Sequence, residues 1–212
     1  MRIRLPFKIS GGGRLDTQFA LSLLVAYLLG SIPFAYLIAH NARGVDIRTI
    51  GDGNPGGKNV FEQISPRAGV AVALLDIGKG MSALLLARAQ GVSEIALLGV
   101  GVAVIVGHNW SLFLHFHGGQ GMATTVGVFL TLLPWETLAG ILIIALVLWL
   151  THNWDLSCGI GFASLPVWAR WNARSPELII YVIALLPLIG VRKWIQRGSV
   201  ARGEVARLPR LR

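Results

Sequence analysis

The stretch F-A-L-S-L-L-V-A-Y-L-L-G-S-I-P-F-A-Y-L-I-A, residues 19–39, carries no charged side chain. It has the length of roughly 20 residues that the hydrocarbon core of a bilayer demands of a helix. It is too long for a signal-peptide core and offers no clean small-residue cleavage site, so it is read as a retained membrane span. Gly30-Ser31-Ile32-Pro33 lies inside it, and the proline breaks the backbone ladder near one end. There the Ser31 hydroxyl either satisfies a freed carbonyl or faces a site. The rest of the chain agrees with this reading. Of its 212 residues 54% are hydrophobic and 14% charged, and the mean hydropathy is +0.64. That leaves too little polar surface to cover a soluble globule. Further apolar runs occupy 68–87, 95–106, 121–133, 137–150, 159–171 and 178–191. The sequence therefore predicts an all-α, polytopic integral membrane protein with about seven transmembrane helices. Its membrane domain covers 19–191, between a basic N-terminal segment, 1–18, and a basic tail, 192–212.

The formal net charge of +9 is concentrated at the two ends. Arg2, Arg4, Lys8 and Arg14 precede the first span, and Arg192, Lys193, Arg197, Arg202, Arg207, Arg210 and Arg212 follow the last. Placed beside a membrane, these residues meet anionic headgroups. A nucleic-acid partner would need a polar face that the composition lacks. Seven spans put the termini on opposite sides, and the more basic tail favours a cytoplasmic C-terminus in an inner, plasma membrane. The polar loops 46–60, 107–120 and 151–158 then share the cytoplasmic side. The single cysteine, Cys158, excludes an intramolecular disulfide and any cysteine cluster for zinc.

Chemistry concentrates in those loops. D-I-R-T-I-G-D-G-N-P-G-G-K-N-V, residues 46–60, packs Gly51, Gly53, Gly56 and Gly57 around Asn54 and Pro55, a density that predicts no regular element. With Arg48 and Lys58 alongside, its bare N–H groups suit an anion, above all phosphate; an interhelical turn without a ligand is the competing reading. Gly118, Gly119, Gln120 and Gly121 stand where a helix begins and form a second anion site. Asp76 and Lys79, three apart within a span, either pair for structure or line a polar cavity, because an unpaired charge there costs about 2.5–3.5 kcal/mol. His115 and His117 lack a third ligand for metal. Pro134-Trp135-Glu136 reads as a tight turn and 151–159 as a polar loop. In that loop capping of the next helix by Asp155 or Ser157 outweighs a hydrolase triad with His152.

G-S-I-P at 30–33, the 46–60 loop, D-I-G-K-G at 76–80, G-H-N-W at 107–110 and G-G-Q-G-M-A-T at 118–124 together resemble the PlsY-type bacterial membrane glycerol-3-phosphate acyltransferases. The likeness runs from about 22 to 160. It implies a seven-helix membrane fold and transfer of a fatty acyl chain from acyl-phosphate to glycerol 3-phosphate, giving lysophosphatidic acid for phospholipid biosynthesis. It implies catalytic roles for Ser31, Arg48 and Ser157. It also implies phosphate binding by Gly51, Gly53, Asn54, Gly56, Lys58, Asn59, Gly118, Gly119, Gln120 and Gly121, with Asp76, Lys79 and His108 as supporting polar groups. Gln120 stands where the family has the lysine of G-G-K-G, and the family's C-terminal motif has no clear match in 190–198. Direct attack of the acceptor hydroxyl on the acyl-phosphate carbonyl calls for no metal or organic cofactor and no protein nucleophile. Two further readings remain: the same donor with another acceptor, and a catalytically impaired paralogue that binds phosphorylated lipid or a partner.

Overall fold

A computed structural model describes residues 12–201, with the side chains of 17–196, and every regular element in it is helical. The order is α1 (Gly12–Ser31), α2 (Phe34–Arg43), a single 3-10 turn at Ile47–Thr49, the short α3 (Gly57–Gln63), α4 (Pro66–Ala89) and α5 (Glu94–Asn109). A second 3-10 turn at Leu112–Leu114 leads to α6 (Met122–Leu132), α7 (Pro134–Thr151), α8 (Trp154–Trp171) and α9 (Pro176–Ala201). Among the described residues five stretches are long and apolar enough to cross a bilayer: Thr17–Arg43, Pro66–Ala89, Glu94–Leu114, Pro134–Thr151 and Pro176–Gln196. The shorter apolar α6 and the 18-residue α8 complete the seven expected segments. Leu74, Leu142, Val167 and Ile180 remain exposed, as lipid-facing side chains do. Exposed Trp135 and Trp171 mark one end of the bundle and Trp149 and Trp194 the other, matching interfacial aromatic belts.

Burial in lipid offers helices no hydrophobic drive toward one another, so close backbone approach has to hold them. A Cβ on Gly30 would strike the Val104 carbonyl oxygen and one on Gly107 the Tyr27 carbonyl oxygen, which joins α1 to α5. Gly80 against the Thr124 carbonyl and Gly127 against the Ile77 carbonyl join α4 to α6 in the same way. The main core lies between these helices and α8 and α9, around Leu84, Leu97, Val104, Phe129 and Leu165. A smaller core of Tyr36, Ile47, Val60, Ile64, Val72 and Leu114 sits beneath the 46–60 loop and gives it a floor.

Several boundaries differ from expectation. The first helix is already formed at Gly12, inside the segment read as basic and N-terminal to the first span. Gly57 opens α3, so the last part of the glycine-dense loop is helical after all. Pro134 is the first residue of α7, where its missing N–H is no loss, and the reversal occurs at Leu133. The loop after α7 is short: α8 starts at Trp154, and Asn153 caps it by accepting from the Leu156 N–H at 3.0 Å, in place of Asp155 or Ser157. At the other extreme α9 continues through Val191 to Ala201 and buries Arg192 and Gln196, so the expected surface tail starts as helix. No breaker intervenes there, and both side chains find partners in the protein. The expectations placed on the basic side chains before 17 and after 196 lie outside the described side chains.

The glycine contacts predict opposite outcomes for two neighbouring substitutions. Gly127→Ala should destabilise by about 1–3 kcal/mol through overpacking. Gly78→Ala, with nothing within 4 Å of the added methyl, should stabilise α4 by about 0.5–1 kcal/mol. Thermal unfolding of the purified variants in detergent checks both; equal midpoints would refute the close α4–α6 contact.

Candidate functional site

The 46–60 loop is built from the inside. Asp46 caps the 3-10 turn by accepting from the Arg48 N–H at 3.0 Å, and the Arg48 guanidinium grips the same carboxylate, Nη2 to Oδ2 at 2.7 Å and Nε to Oδ1 at 3.0 Å. Arg48 is 1% exposed, donates from Nη1 to the Leu114 carbonyl at 3.2 Å and lies 5.7 Å from the Tyr36 ring centre. Its charge is paired inside the smaller core, and neither of the cavities described below includes it. Asn59 is likewise internal: its Nδ2 donates to the Ile47 and Ile50 carbonyls, each at 3.0 Å, and its Oδ1 accepts from the Asp52 N–H at 3.4 Å. It shapes the loop and has no amide proton left for a ligand. Gly51, at φ 60°, packs on the Asn59 side chain, and a Cβ there would overlap Asn59 Oδ1. What the loop presents outward is Asn54, Gly56, Gly57 and Lys58. Asn54 Oδ1 is buried without a hydrogen-bond partner. Lys58, 32% exposed at its side chain, lies between Glu62 Oε1 at 3.2 Å and Asp52 Oδ2 at 3.7 Å.

Beside this loop α4 and α5 bring charge into the bundle. Asp76 Oδ1 is 2.8 Å from Lys79 Nζ and 3.6 Å from His108 Nδ1, and all three residues are buried. Lys79 also donates to the Ile32 carbonyl at 3.0 Å, at the junction of α1 and α2, where the Phe34 N–H donates to the same oxygen at 3.2 Å, and stands 5.6 Å from the Phe34 ring centre. Ser31 is fully buried. Its hydroxyl donates to the Tyr27 carbonyl at 2.9 Å, and the Ser111 hydroxyl donates to the Ser31 carbonyl at 2.5 Å. The second glycine turn packs on His108: the Gly119 N–H donates to the His108 carbonyl at 3.0 Å, and a Cβ on Gly119 would overlap the imidazole Nε2. Gly121, at φ 81°, then opens α6.

These parts meet in one place. A cavity of about 490 Å³ is bordered by Asn54, Gly56 and Lys58 from the first turn, by Gln120 and Gly121 from the second, and by Asp76 and His108. Apolar side chains, Phe61, Val70, Ala73, Met122, Leu148 and Trp154, line the same cavity, together with Glu62 and His152. A narrow recess of about 10 Å³ continues past Asp76 and His108 to Ser31, Lys79, Gly118 and Gly119. Gln196 ties the turns together, accepting from Gln120 Nε2 at 3.1 Å and donating to the Gly53 carbonyl at 3.1 Å. Ser157 is not brought in: its hydroxyl donates back to the Asn153 carbonyl at 2.6 Å, and neither cavity includes it. Asp155 forms an ion pair with Lys193, so no triad with His152 assembles. Sequence reading missed Gln196, Arg192, Asn109 and the apolar lining. The spacing of Arg192 and Gln196 by four, which puts them on one helical face, was the available signal.

A family model described as glycerol-3-phosphate acyltransferase matches residues 20–199. The chain is 41% identical over 166 residues to a glycerol-3-phosphate acyltransferase of Desulforamulus reducens, covering 76% of this chain and 80% of that one. It is 38% identical over 183 residues to glycerol-3-phosphate acyltransferase 1 of Dehalococcoides mccartyi, covering 81% and 86%. The crystal structure of PlsY (YgiH), an integral membrane glycerol 3-phosphate acyltransferase, in its glycerol 3-phosphate form, superposes with a TM-score of 0.77 at 29% identity over 92% of this chain and 96% of that one. The lysophosphatidic acid form gives 0.74 at 30% identity. The family model over residues 20–199, the identities to these relatives and the shared helical fold place this chain in the glycerol-3-phosphate acyltransferase family.

Proposed function

We propose that this chain transfers a fatty acyl group from acyl-phosphate to glycerol 3-phosphate, forming lysophosphatidic acid at the cytoplasmic face of the plasma membrane. The observation that carries this reading is one cavity that joins polar groups from both glycine turns to apolar side chains, among them Phe61, Val70, Met122 and Leu148. An acyl-phosphate combines the same two chemistries. The exposure of Phe61 and Val70 lets an acyl chain enter sideways from lipid. α9 ends on the cavity's side, so the basic residues that follow it in sequence favour the cytoplasm for that side.

In the reaction the acceptor hydroxyl oxygen attacks the acyl carbonyl carbon, the carbonyl–phosphate C–O bond breaks, and phosphate departs with the electron pair while the hydroxyl proton is released. The mixed anhydride has a good leaving group, so holding and neutralising charge suffices. Lys58, Asn54, Gln120 and the backbone of Gly53, Gly56, Gly118, Gly119 and Gly121 hold phosphate. Ser31 borders the recess together with Asp76, Lys79 and His108, which form its charged floor. Arg48, Asn59, Gly51 and Ser157 act as scaffold. Nothing in this scheme draws on a metal or organic cofactor.

Incubating the purified protein with acyl-phosphate and labelled glycerol 3-phosphate should yield labelled lysophosphatidic acid. Acyl-phosphate consumption without it would point to another acceptor, and binding without turnover to an impaired paralogue. Lys58→Ala should raise the KM for a phosphate-bearing substrate roughly ten- to hundredfold, as expected for loss of one charged hydrogen bond. Asp76→Asn should lower stability by about 3–5 kcal/mol, because it leaves the Lys79 charge buried and unpaired; an unchanged unfolding midpoint would show that the pair is not needed for folding.

A further inference from the structure

α9 reaches the second glycine turn from behind. Arg192 Nη2 donates to the Gly118 carbonyl at 2.8 Å, and Nε to the carbonyls of Asn109 at 3.1 Å and Gly119 at 3.2 Å. The guanidinium carbon lies 5.4 Å from the Trp110 ring centre. Arg192 is 7% exposed, and among the described residues no carboxylate pairs with it. Carbonyls satisfy its donors but leave its net charge uncompensated, an expensive arrangement for a buried cation.

Opposite the guanidinium the turn is short of acceptors. A trans peptide points its C=O and N–H in opposite directions, so the carbonyl of Gly119 facing Arg192 turns the Gln120 N–H away from α9. No backbone acceptor takes that N–H among the described residues. The N–H groups that open α6 follow it. Asn109 is fully buried, both its side-chain polar atoms lack partners, and Gly121 lies directly against its Oδ1. Gln120, on the cavity wall, is neutral.

We infer that Arg192 is the positioning residue that makes the Gly118–Gly121 turn an anion site in this chain. From behind the turn it sets the peptide orientation and supplies the positive charge that Gln120 does not. Gln196, one helical turn further along α9, fixes the other glycine turn to the same helix through the Gly53 carbonyl. The inference rests on the reading of this turn as a phosphate site.

The test uses the full-length protein as wild type, Arg192→Gln, Arg192→Lys and Arg192→Gln combined with Gln120→Lys. Two readouts are taken: KM and kcat for acyl transfer, and the rise in unfolding temperature caused by inorganic phosphate or glycerol 3-phosphate, which needs no turnover. Arg192→Gln is expected to raise the KM for a phosphate-bearing substrate about 10–100-fold, with a smaller change in kcat, and to abolish the phosphate-induced rise. Adding Gln120→Lys should recover at least about tenfold of that KM by returning charge from the other side of the turn. A purely structural peg would not be rescued in this way. An Arg192→Gln protein with wild-type KM and phosphate response, or a loss that Gln120→Lys leaves unrepaired, overturns the inference. If Arg192→Gln does not accumulate, Gln120→Lys is added to Arg192→Lys, which keeps the charge but lacks the fork, and the same recovery is required. A wild type that phosphate stabilises but that makes no lysophosphatidic acid would defeat the acyl-transfer reading and leave this one intact. A wild type that phosphate does not stabilise defeats this one.

Discussion

A charge or a broken backbone in a bilayer has to find its partner inside the protein, and that constraint organises this molecule. The first span breaks its helix at Ile32 and Pro33, and Lys79 from α4 donates to the Ile32 carbonyl at that break at 3.0 Å. Lys79 is itself held by Asp76 Oδ1 at 2.8 Å, and His108 Nδ1 of α5 stands 3.6 Å from the same oxygen. One polar cluster thus links the break in the first span to the second and third. It sits at the end of the bundle where the glycine turns converge.

Around that cluster glycines do two separate jobs. Along the helices they let backbones touch, as Gly127 does on the Ile77 carbonyl, and this draws α4 and α6 together. In the turns they permit conformations and contacts closed to other residues: Gly51 under the Asn59 side chain and Gly121 at the start of α6 both have positive φ. The first kind of contact brings the turns within reach of each other, and the second determines which backbone groups face the cavity. Arg48 and Asn59 then hold the first turn from within.

The fold was largely readable because membrane insertion is a matter of length and hydropathy, both local properties. All seven segments fell near their expected places, and the errors were at ends. Those errors share a cause: helix termini depend on which group caps or buries them, as Asn153 does for α8 and as the packing of Arg192 and Gln196 does for α9. The site was readable in part. Motif spacing identified both turns and the Asp76, Lys79 and His108 group, but it could not separate side chains that face a ligand from those that hold the loop. Arg48 and Lys58 looked equivalent in sequence, yet one is gripped by Asp46 and the other borders the cavity.

By itself the sequence determined that the chain belongs in a bilayer, where its apolar helical segments lie, and that two glycine-rich turns interrupt them. These follow from apolar runs and local composition, with no need to know what touches what. Only the tertiary structure decided that both turns border one cavity with apolar lining, that Arg48 and Ser157 turn inward, and that α9 delivers Arg192 and Gln196 to the site. The physical reason is that a charge or amide acts according to its partners. In this bundle those partners come from helices far apart in the chain, such as Gly118 and Arg192.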